Sequence, residues 1–276
     1  MRTLQEAIER MENKGGAGRS LKKHLGAVGI ERWDDITRSA LYDFADHLRE
    51  NLAPSTAKTV MAYAKSLFHR YEDDVDLPQG WSKILQTKGA APMKTYLTEA
   101  ELKQFAAAPV HTYKQRLVQN LFLVCAYTGL RVSDAMRLTP ENIVDGNLHY
   151  TAQKTKKAGA IPMKAGLEQR IMWIATHKDM TISMAGYNAA VRKMAKAAGI
   201  DTEVVVMKAG REMKGPKWKF ITSHTARIST ATCLSKRGVP IGDIKNILGH
   251  SSISMSERYI IRDRVELSPR AMAFFN

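Results

Sequence analysis

Apolar residues recur at helical spacing through the first 85 residues of the chain. The pattern predicts four amphipathic helices, near residues 3–13, 19–28, 37–50 and 55–71. Gly29 is the predicted stop of the second helix, and Ser55, directly after Pro54, is the predicted N-cap of the fourth. We therefore expect the N-terminal third of the chain to be a small helical domain.

A break in the periodicity follows this helical region. Gly89 and Pro92 interrupt a stretch that has few apolar residues, as is typical of a connection between domains. The sequence therefore predicts a helical domain over residues 1–88, a linker over 89–96 and a second domain over 97–276.

The second domain begins with helical signals. Thr98 and Glu101 have the spacing of a capping box that opens a helix. Helical spacing then predicts a long apolar helix near 112–127, which ends at Gly129, and further helices near 165–177 and 183–198. These helices would supply most of the second domain's core.

Strand patterns interrupt the helices twice. Residues 148–152 show the alternating pattern of a strand after the turn signal Asp145-Gly146. Residues 159–163 are the predicted returning strand. A second hairpin is predicted with arms at 204–206 and 218–221. Its predicted tip carries four basic residues, Lys208, Arg211, Lys214 and Lys217. The fold class is therefore mainly α with a small antiparallel β-sheet.

Charge adds a candidate partner to this picture. The chain has 42 Lys and Arg against 27 Asp and Glu, a formal net charge of +15. Residues 1–90 hold 14 basic and 13 acidic side chains, so residues 91–276, with 28 and 14, carry nearly all of the excess. Such an excess favours a polyanion, most simply nucleic acid. Composition alone is equally consistent with a basic soluble protein that binds no nucleic acid.

Other features indicate the compartment. Cys125 and Cys233 lie in apolar surroundings far apart in sequence, which favours two buried thiols over a single disulfide. The N-terminus lacks the apolar core of a signal peptide, and no run approaches the ~18 apolar residues of a membrane span. We expect a cytoplasmic protein without membrane contact. No metal and no cofactor are expected, since zinc spacing and Gly-rich phosphate loops are missing from the sequence.

Four short motifs carry candidate chemistry. They are TGLRVSD at 128–134, QKTKK at 153–157, HTAR at 224–227 and LGHSSISMSERY at 248–259. Together they supply two arginines, two histidines and a tyrosine. Arginines bind phosphate oxygens, histidines move protons, and a phenol can attack a phosphodiester. Each motif alone also fits a surface, capping or core role, so the inference rests on their combination.

In this order and spacing the motifs resemble the tyrosine recombinases, the family of phage integrases and chromosome-dimer resolvases. The resemblance implies a helical core-binding domain followed by a mixed α+β catalytic domain with a C-terminal tail. A separate amino-terminal domain for distant arm sites would be absent. The basic hairpin before HTAR resembles the variety found in integrases of Bacteroidetes mobile elements.

The resemblance also implies roles for individual residues. The implied catalytic set is Arg131, Lys154, His224, Arg227, His250 and Tyr259, with Asp134 in support of Arg131. The arginines would hold the phosphate, Lys154 would protonate the leaving 5′ oxygen, and Tyr259 would attack. Lys156 and Lys157 are adjacent, so the role of Lys154 could belong to either. The chain departs from the usual pattern at Ile228-Ser229 and at Met255-Ser256, where two threonines are frequent, and neither departure removes a catalytic group.

Several lysines are candidates for contact with the DNA backbone. Lys58 and Lys65 lie seven residues apart, on one face of the fourth helix, while Val60, Ala64 and Leu67 can face the core. A solvated surface fits these two lysines as well as DNA contact does. The full candidate set is Lys58, Lys65, Lys156, Lys157, Lys214 and Lys217.

The family implies a site-specific recombinase that acts on double-stranded DNA as a homotetramer and is a monomer in free solution. Two alternatives share the motifs: a type IB topoisomerase, and a DNA-binding accessory protein that has lost catalysis. The apolar tail residues Leu267, Met272, Phe274 and Phe275 could dock on their own domain or on a neighbouring protomer.

Overall fold

A computed structural model describes residues 2–12, 17–87, 93–154 and 156–261. The predicted tail contacts, and Thr155 of the QKTKK motif, lie outside these described residues. The chain divides into two compact units, Met1–Met93 with Met207–Met213, and Lys94–Val206 with Lys214–Asn276. The boundary at 93 and 94 falls within the stretch predicted as a linker. Residues 207–213 belong to the first unit, whereas the sequence placed them in the second.

The first unit is helical. Its helices are α1 (Leu4–Glu12), α2 (Ala17–Gly26), α3 (Arg38–Asn51), α4 (Pro54–Tyr71) and the short α5 (Trp81–Ile84). Their apolar faces meet around the fully buried rings of Phe44 and Phe68. The edges of Trp33 and Trp81 pack against Phe68, with ring centroids 6.3 and 5.4 Å away. Such edge-to-face contacts join the helices into one core.

Two predicted helix ends in this unit differ from the structure. Helix α4 begins one residue before Ser55, with Ala53 as its N-cap and Pro54 in the first turn. Proline suits that position because its nitrogen has no proton and none is needed there. Helix α2 ends at Gly26, and Gly29 follows in the left-handed region with φ 75°. It closes the turn after the helix rather than the helix itself.

The second unit is built around a buried helix. Its helices are α6 (Glu99–Ala107), α7 (Tyr113–Thr128), α8 (Val132–Ala135), α9 (Leu167–Thr176), α10 (Met184–Ala197), α11 (Ser223–Lys236), α12 (Ile241–Leu248) and α13 (Ile253–Glu257). Helix α7 packs against α9, α10 and α11. Being apolar on nearly all sides, it occupies the centre of the core. The predicted capping box at Thr98 is confirmed at the start of α6.

A three-stranded antiparallel sheet lies between α8 and α9 in the sequence. Its strands are β1 (Ile143–Val144), β2 (Asn147–Thr151) and β3 (Ala158–Pro162), with Leu148 paired to Ile161. Asp145 and Gly146 both have positive φ, as a two-residue hairpin turn requires. The turn between β2 and β3 contains Lys154, the predicted general acid.

The second hairpin differs from its prediction. Its strands are β4 (Glu203–Lys208) and β5 (Arg211–Pro216), so the returning arm lies at 211–216 and not at 218–221. The turn is Ala209-Gly210, where both residues have positive φ. Pro216 cannot donate a ladder hydrogen bond, and a 3₁₀-helix over Lys217–Phe220 follows it. Alternating apolar residues in that segment imitate a strand.

Both cysteines have free thiols. Cys125 is fully buried on α7, and burial raises the pKa of its thiol to about 12. Cys233 is only partly buried, in contrast to the predicted pair of buried thiols. In the part of the chain that the structure describes, no helix combines the length and apolarity that a membrane crossing requires.

Candidate active site

Arg227 lies at the centre of the site. It is in the first turns of α11 and is 3% exposed. Its guanidinium donates hydrogen bonds to the backbone carbonyls of Gly129 and Leu248. These carbonyls lie where α7 and α12 end, and each helix is closed by a glycine in the left-handed region, Gly129 and Gly249. Carbonyls at helix C-termini lack intrahelical partners and carry partial negative charge, so they suit a buried cation.

His250 is held in one protonation state by its neighbours. Its Nε2 lies 2.9 Å from a guanidinium nitrogen of Arg227, and its Nδ1 lies 2.9 Å from the hydroxyl oxygen of Ser256. A guanidinium can only donate, so Nε2 must accept and the ring proton must reside on Nδ1. Nδ1 then donates to Ser256, which is fully buried. His250 is therefore a neutral imidazole that aligns Arg227.

Asp134 connects two parts of the site. It is 4% exposed, in α8, and its carboxylate lies 3.9 Å from the guanidinium of Arg131. The same carboxylate accepts a hydrogen bond from the backbone N–H of Gln153 at 2.9 Å. Arg137 donates to Asp134 at 3.4 Å and to the carbonyl of Thr151 at 3.1 Å. Asp134 thus holds both Arg131 and the beginning of the β2–β3 turn.

Lys154 lies in that turn, one residue after Gln153. The turn is closed by hydrogen bonds between Ala152 and the backbones of Lys156 and Lys157, at 2.8 and 2.9 Å. Lys156 adopts a left-handed conformation with φ 56°. The three lysines are exposed, and within the described residues no hydrogen bond or ion pair joins Lys154 to the other predicted catalytic side chains. Its position is set by Asp134 through the backbone.

Tyr259 packs between the two histidines. It follows α13, and its ring centroid lies 4.8 Å from those of both His224 and His250. The guanidinium carbon of Arg227 is 5.5 Å from the ring centroid. The Tyr259 carbonyl accepts a hydrogen bond from the hydroxyl of Thr232 in α11 at 3.3 Å. The structure therefore brings together Arg227, both histidines and the tyrosine, which were predicted from two separate motifs.

Both histidines have a lowered pKa of about 4. Desolvation is the largest cause in each case, and repulsion from nearby cations adds to it. Those cations include Lys94, Arg227 and Arg131 for His224, and the two arginines for His250. His224 keeps part of its surface in water, so solvent screens part of this effect there. Both rings are neutral near pH 7, and a neutral His224 can accept a proton.

The candidate DNA-contact lysines fall into two groups. Lys58 is exposed and Lys65 partly exposed on α4, while Val60 and Ala64 are buried on the other side. Lys156 and Lys157 are exposed, and Lys214 is exposed with an ion pair to Glu203 at 3.1 Å. All of these lysines remain open to solvent.

Lys217 contradicts its prediction as an exposed contact. Its side chain is 9% exposed, and its ammonium lies 2.6 Å from a carboxylate oxygen of Glu101 in α6. Burial of a charge requires such a partner, and the pair joins the 3₁₀-helix to the start of the domain. Because the ammonium is enclosed and paired, Lys217 has a structural role in this unit.

Two residues near Tyr259 are missing from the sequence-based set. Ser256 is one of the departures from the family pattern, yet its hydroxyl accepts the Nδ1 proton of His250. Lys94 fell in the predicted linker, yet its ammonium lies 5.4 Å from the centre of the Tyr259 ring. Serine keeps the hydroxyl of the threonine that is frequent at this position, and this could have marked Ser256 as a functional residue. No sequence motif marks Lys94.

Known proteins with similar sequences are recombinases. The integrase of Enterobacteria phage P21 is 22% identical over 257 residues, which cover 89% of this chain and 66% of the relative. Tyrosine recombinase XerD of Vibrio cholerae is 24% identical over 251 residues, covering 83% of this chain and 78% of the relative. The chain thus spans slightly less than two thirds of the phage protein's length.

Solved structures share the fold. A lambda integrase dimer bound to a COC′ core site superposes with a TM-score of 0.70 at 17% identity, over 97% of this chain and 98% of that one. The Tn1549 transposon integrase, in complex with a circular intermediate DNA, gives 0.71 at 16% identity over the full length of both chains. The described helices and small antiparallel sheets therefore form the fold of these integrases.

A family model defines the relationship more directly than any single relative. The model described as the phage integrase family matches residues 95–264, which include every predicted catalytic residue from Arg131 to Tyr259. The match extends over more than half of the 276 residues, and the protein belongs to the phage integrase family.

Proposed function

We propose that the protein is a site-specific DNA recombinase that cuts and rejoins strands through a 3′-phosphotyrosine intermediate. The observation that carries this proposal is the packing of the Tyr259 ring against His224, His250 and Arg227. A tyrosine surrounded by a cation and two neutral imidazoles is suited to attack a phosphodiester. The similarity to XerD and to phage integrases supports the same reaction class.

In the first step, the Tyr259 hydroxyl gives its proton to His224 and its oxygen attacks the phosphorus. A 3′-phosphotyrosine bond forms as the bond to the 5′ oxygen breaks. Lys154 gives that oxygen a proton, because an alkoxide leaves poorly. Arg131 and Arg227 bind the non-bridging oxygens, where negative charge increases in the transition state.

The two arginines contribute differently to phosphate binding. Arg131 is partly exposed, with 29% of its side chain open to solvent, and Asp134 orients it from one side. Arg227 uses three hydrogen bonds to hold its position, while its Nε has no partner among the described residues. A buried N–H without a partner is costly, and a phosphate oxygen would satisfy it. Arg131 thus offers an accessible fork, and Arg227 a fixed donor.

In the second step, the 5′ hydroxyl of another strand gives its proton to Lys154 and attacks the phosphotyrosine, while His224 returns a proton to the Tyr259 oxygen as that oxygen leaves. The ester retains the bond energy, so rejoining requires no nucleotide cofactor. We propose double-stranded DNA as the partner, and a homotetramer of chains that are monomeric without DNA. The solved structures include a lambda integrase tetramer bound to a Holliday junction. The Bacteroidetes mobile-element type stays a prediction from the basic hairpin.

The test first requires a DNA substrate. Duplexes that bind the protein can be selected from a random-sequence library and sequenced. In a selected duplex with a nick next to the cleavage position, attack frees a short fragment that carries the new 5′ hydroxyl. Loss of this fragment prevents rejoining and traps the covalent adduct. We expect an adduct that survives denaturation and maps to Tyr259.

Tyr259→Phe is the matched control, because it keeps the ring and removes the attacking oxygen. It should bind the selected duplex and form no adduct. An adduct with the Phe variant would assign the attack to another residue. Binding without any adduct by the unaltered chain would instead indicate an accessory protein. Relaxation of supercoiled plasmids that lack the selected sequence would indicate a topoisomerase.

A further inference from the structure

Lys94 is the first residue of the second unit, and it is close to the nucleophile. Its ammonium donates a hydrogen bond to the backbone carbonyl of Arg258 at 3.2 Å. The same ammonium lies 5.4 Å from the centre of the neighbouring Tyr259 ring, within the range of a cation–π interaction. One side chain therefore contacts both the backbone before the nucleophile and the nucleophile's ring.

The backbone near Tyr259 has few other restraints. Helix α13 has only five residues, and the Tyr259 N–H bonds to the carbonyl of Ser256 at 2.9 Å. Thr232 holds the carbonyl of Tyr259 from α11 at 3.3 Å. Lys94 supplies the corresponding restraint one residue earlier, from a segment 164 residues away in sequence. The two contacts hold the carbonyl of Tyr259 and the carbonyl before it.

Among the described residues, the surroundings of Lys94 contain positive charge and no acid that pairs with it. Within the described residues its only hydrogen bond is to the Arg258 carbonyl, and no carboxylate forms an ion pair with it. Desolvation, followed by repulsion from Arg258, lowers its pKa. The charge of Lys94 also contributes to the lowered pKa of His224. A partly buried cation without an acidic partner indicates a role that needs the charge at this place.

We propose that Lys94 is a positioning residue for the nucleophile, which holds the Arg258 carbonyl and the Tyr259 ring so that the phenol faces Arg227 and the two histidines. The inference rests on the proposed function, because positioning matters only if Tyr259 attacks. Lys94 acts on the tyrosine, and its effect should appear in the rate of attack rather than in DNA affinity.

Three substitutions separate the contributions of Lys94. Lys94→Met removes the charge and the donor at similar length, Lys94→Gln keeps a donor without charge, and Lys94→Arg keeps both. Lys164→Met is the matched control, since the Lys164 ammonium lies 4.2 Å from the centre of the Tyr127 ring, away from the nucleophile. It removes one lysine over one tyrosine without altering Tyr259.

The rate of adduct formation is measured on the nicked selected duplex at saturating DNA, together with the half-saturating concentration. We expect Lys94→Met to slow the rate about 10- to 100-fold, as misplacement of a reacting group does, with affinity within about two-fold of the unaltered chain. Lys94→Gln should be intermediate, and Lys94→Arg and Lys164→Met nearly normal. An unchanged rate in Lys94→Met, or a loss confined to affinity, would overturn the proposal.

A second readout needs no DNA. The titration of the His224 ring is followed by NMR in the free protein, where the charges facing it are Lys94, Arg227 and Arg131. Removing the charge of Lys94 should move the midpoint upward in the Met and Gln variants and not in Lys94→Arg or Lys164→Met. If the unaltered chain forms no adduct, the proposed function fails. The titration then tests the position of Lys94 by itself. A His224 midpoint that does not move in Lys94→Met and Lys94→Gln would overturn the proposed position.

Discussion

A single proton determines how the centre of the site is arranged. The Nδ1 proton of His250 is donated to Ser256, which leaves the Nε2 lone pair for Arg227. If Nε2 were protonated instead, two donors would face each other at 2.9 Å. The hydroxyl of Ser256 therefore acts on Arg227 indirectly, because it accepts the proton of the ring that lies between them. The loss of one hydroxyl or the movement of one proton should therefore disturb the site.

Replacing Ser256 tests this chain of hydrogen bonds. Ser256→Ala leaves the buried Nδ1 proton of His250 without an acceptor, which should lower the free energy of unfolding by about 1–3 kcal/mol. Adduct formation should slow about ten-fold as Arg227 loses its fixed partner. Urea unfolding and the adduct assay measure the two effects. Ser256→Thr keeps the hydroxyl and should retain more of both, and equal losses in the two variants would contradict the role of the hydroxyl.

The lowered pKa values of the histidines predict how stability varies with pH. In the folded chain His224 and His250 stay neutral down to about pH 4, whereas in the unfolded chain they take up protons near pH 6.5. Between these values the unfolded state binds more protons. Stability should therefore fall as the pH drops from about 6.5 to 4, and these groups should add no slope above that window.

Urea unfolding between pH 7.5 and 4 measures this slope. The difference between the unaltered chain and His250→Gln isolates His250, since carboxylates titrate alike in both. The His250→Gln variant should lose less stability on acidification. His224→Gln should give a smaller difference because solvent screens that ring. Parallel pH profiles for the His250 variant and the unaltered chain would show that the ring is not held neutral.

At the scale of secondary-structure elements, helix ends build the site. Helices α7 and α12 each finish at a left-handed glycine, and the carbonyls beside those glycines hold Arg227. At Gly129, an added Cβ would lie 2.7 Å from a methyl carbon of Leu248. The helix ends are therefore in close contact, and glycine is required both for the turn and for the approach.

Gly129→Ala should be more damaging than an equivalent change elsewhere. It combines a strained left-handed alanine with displacement of Leu248, and we expect a loss of about 1–3 kcal/mol in the free energy of unfolding. Gly146→Ala is the control, because Gly146 has the same φ of 73° and open space around its Cβ position. Urea unfolding compares them. Only Gly129→Ala should also slow adduct formation, and an equal effect of the two on that rate would refute the argument.

The elements that local sequence determines were predicted well. Helices α3, α4 and α7 begin and end within about a residue or two of their predicted limits, because periodicity and capping residues act within one or two turns. The arm of the second hairpin was misplaced, because apolar alternation in residues 218–221 resembles a strand. The strand ends at Pro216, and the 3₁₀-helix that follows is joined to α6 by the ion pair of Lys217 with Glu101, residues 116 apart in sequence.

The site shows the same limit. Motif residues Arg227, His250 and Tyr259 come together as the resemblance implied, yet Lys94 could not be found from sequence. Its contact with the Arg258 carbonyl joins residues 164 apart, and such a contact leaves no local pattern. The motif predicted Lys154, while the restraint on its turn by Asp134 could be seen only in the structure.

At the scale of the whole molecule, the charge is the dominant property. The net charge of +15 favours association with DNA. A protein that neutralises phosphates releases condensed counterions, so its affinity falls as salt rises. Exposed and buried lysines should therefore differ in their effect on that salt dependence.

Binding to the selected duplex at several salt concentrations tests this difference. Lys58→Gln and Lys65→Gln should each reduce the slope of log affinity against log salt by about 1, if each lysine contacts one phosphate. Lys217→Met should leave the slope unchanged and lower the urea midpoint, because Glu101 loses its partner. A normal slope in both α4 variants would show that these lysines do not contact phosphates. A reduced slope in Lys217→Met would contradict the burial of Lys217.

The bonds of Arg227 to Gly129 and Leu248 also bear on how the protein is made. They connect residues 98 and 21 positions apart, and both must form before the guanidinium is in place. During synthesis the ribosome releases Arg131 and Arg227 well before Leu248 and Tyr259. A chain that stops before Leu248 contains both arginines but neither the second anchor nor the attacking oxygen. If Tyr259 is the nucleophile, translation products that end before it lack the attacking oxygen and should be unable to break DNA.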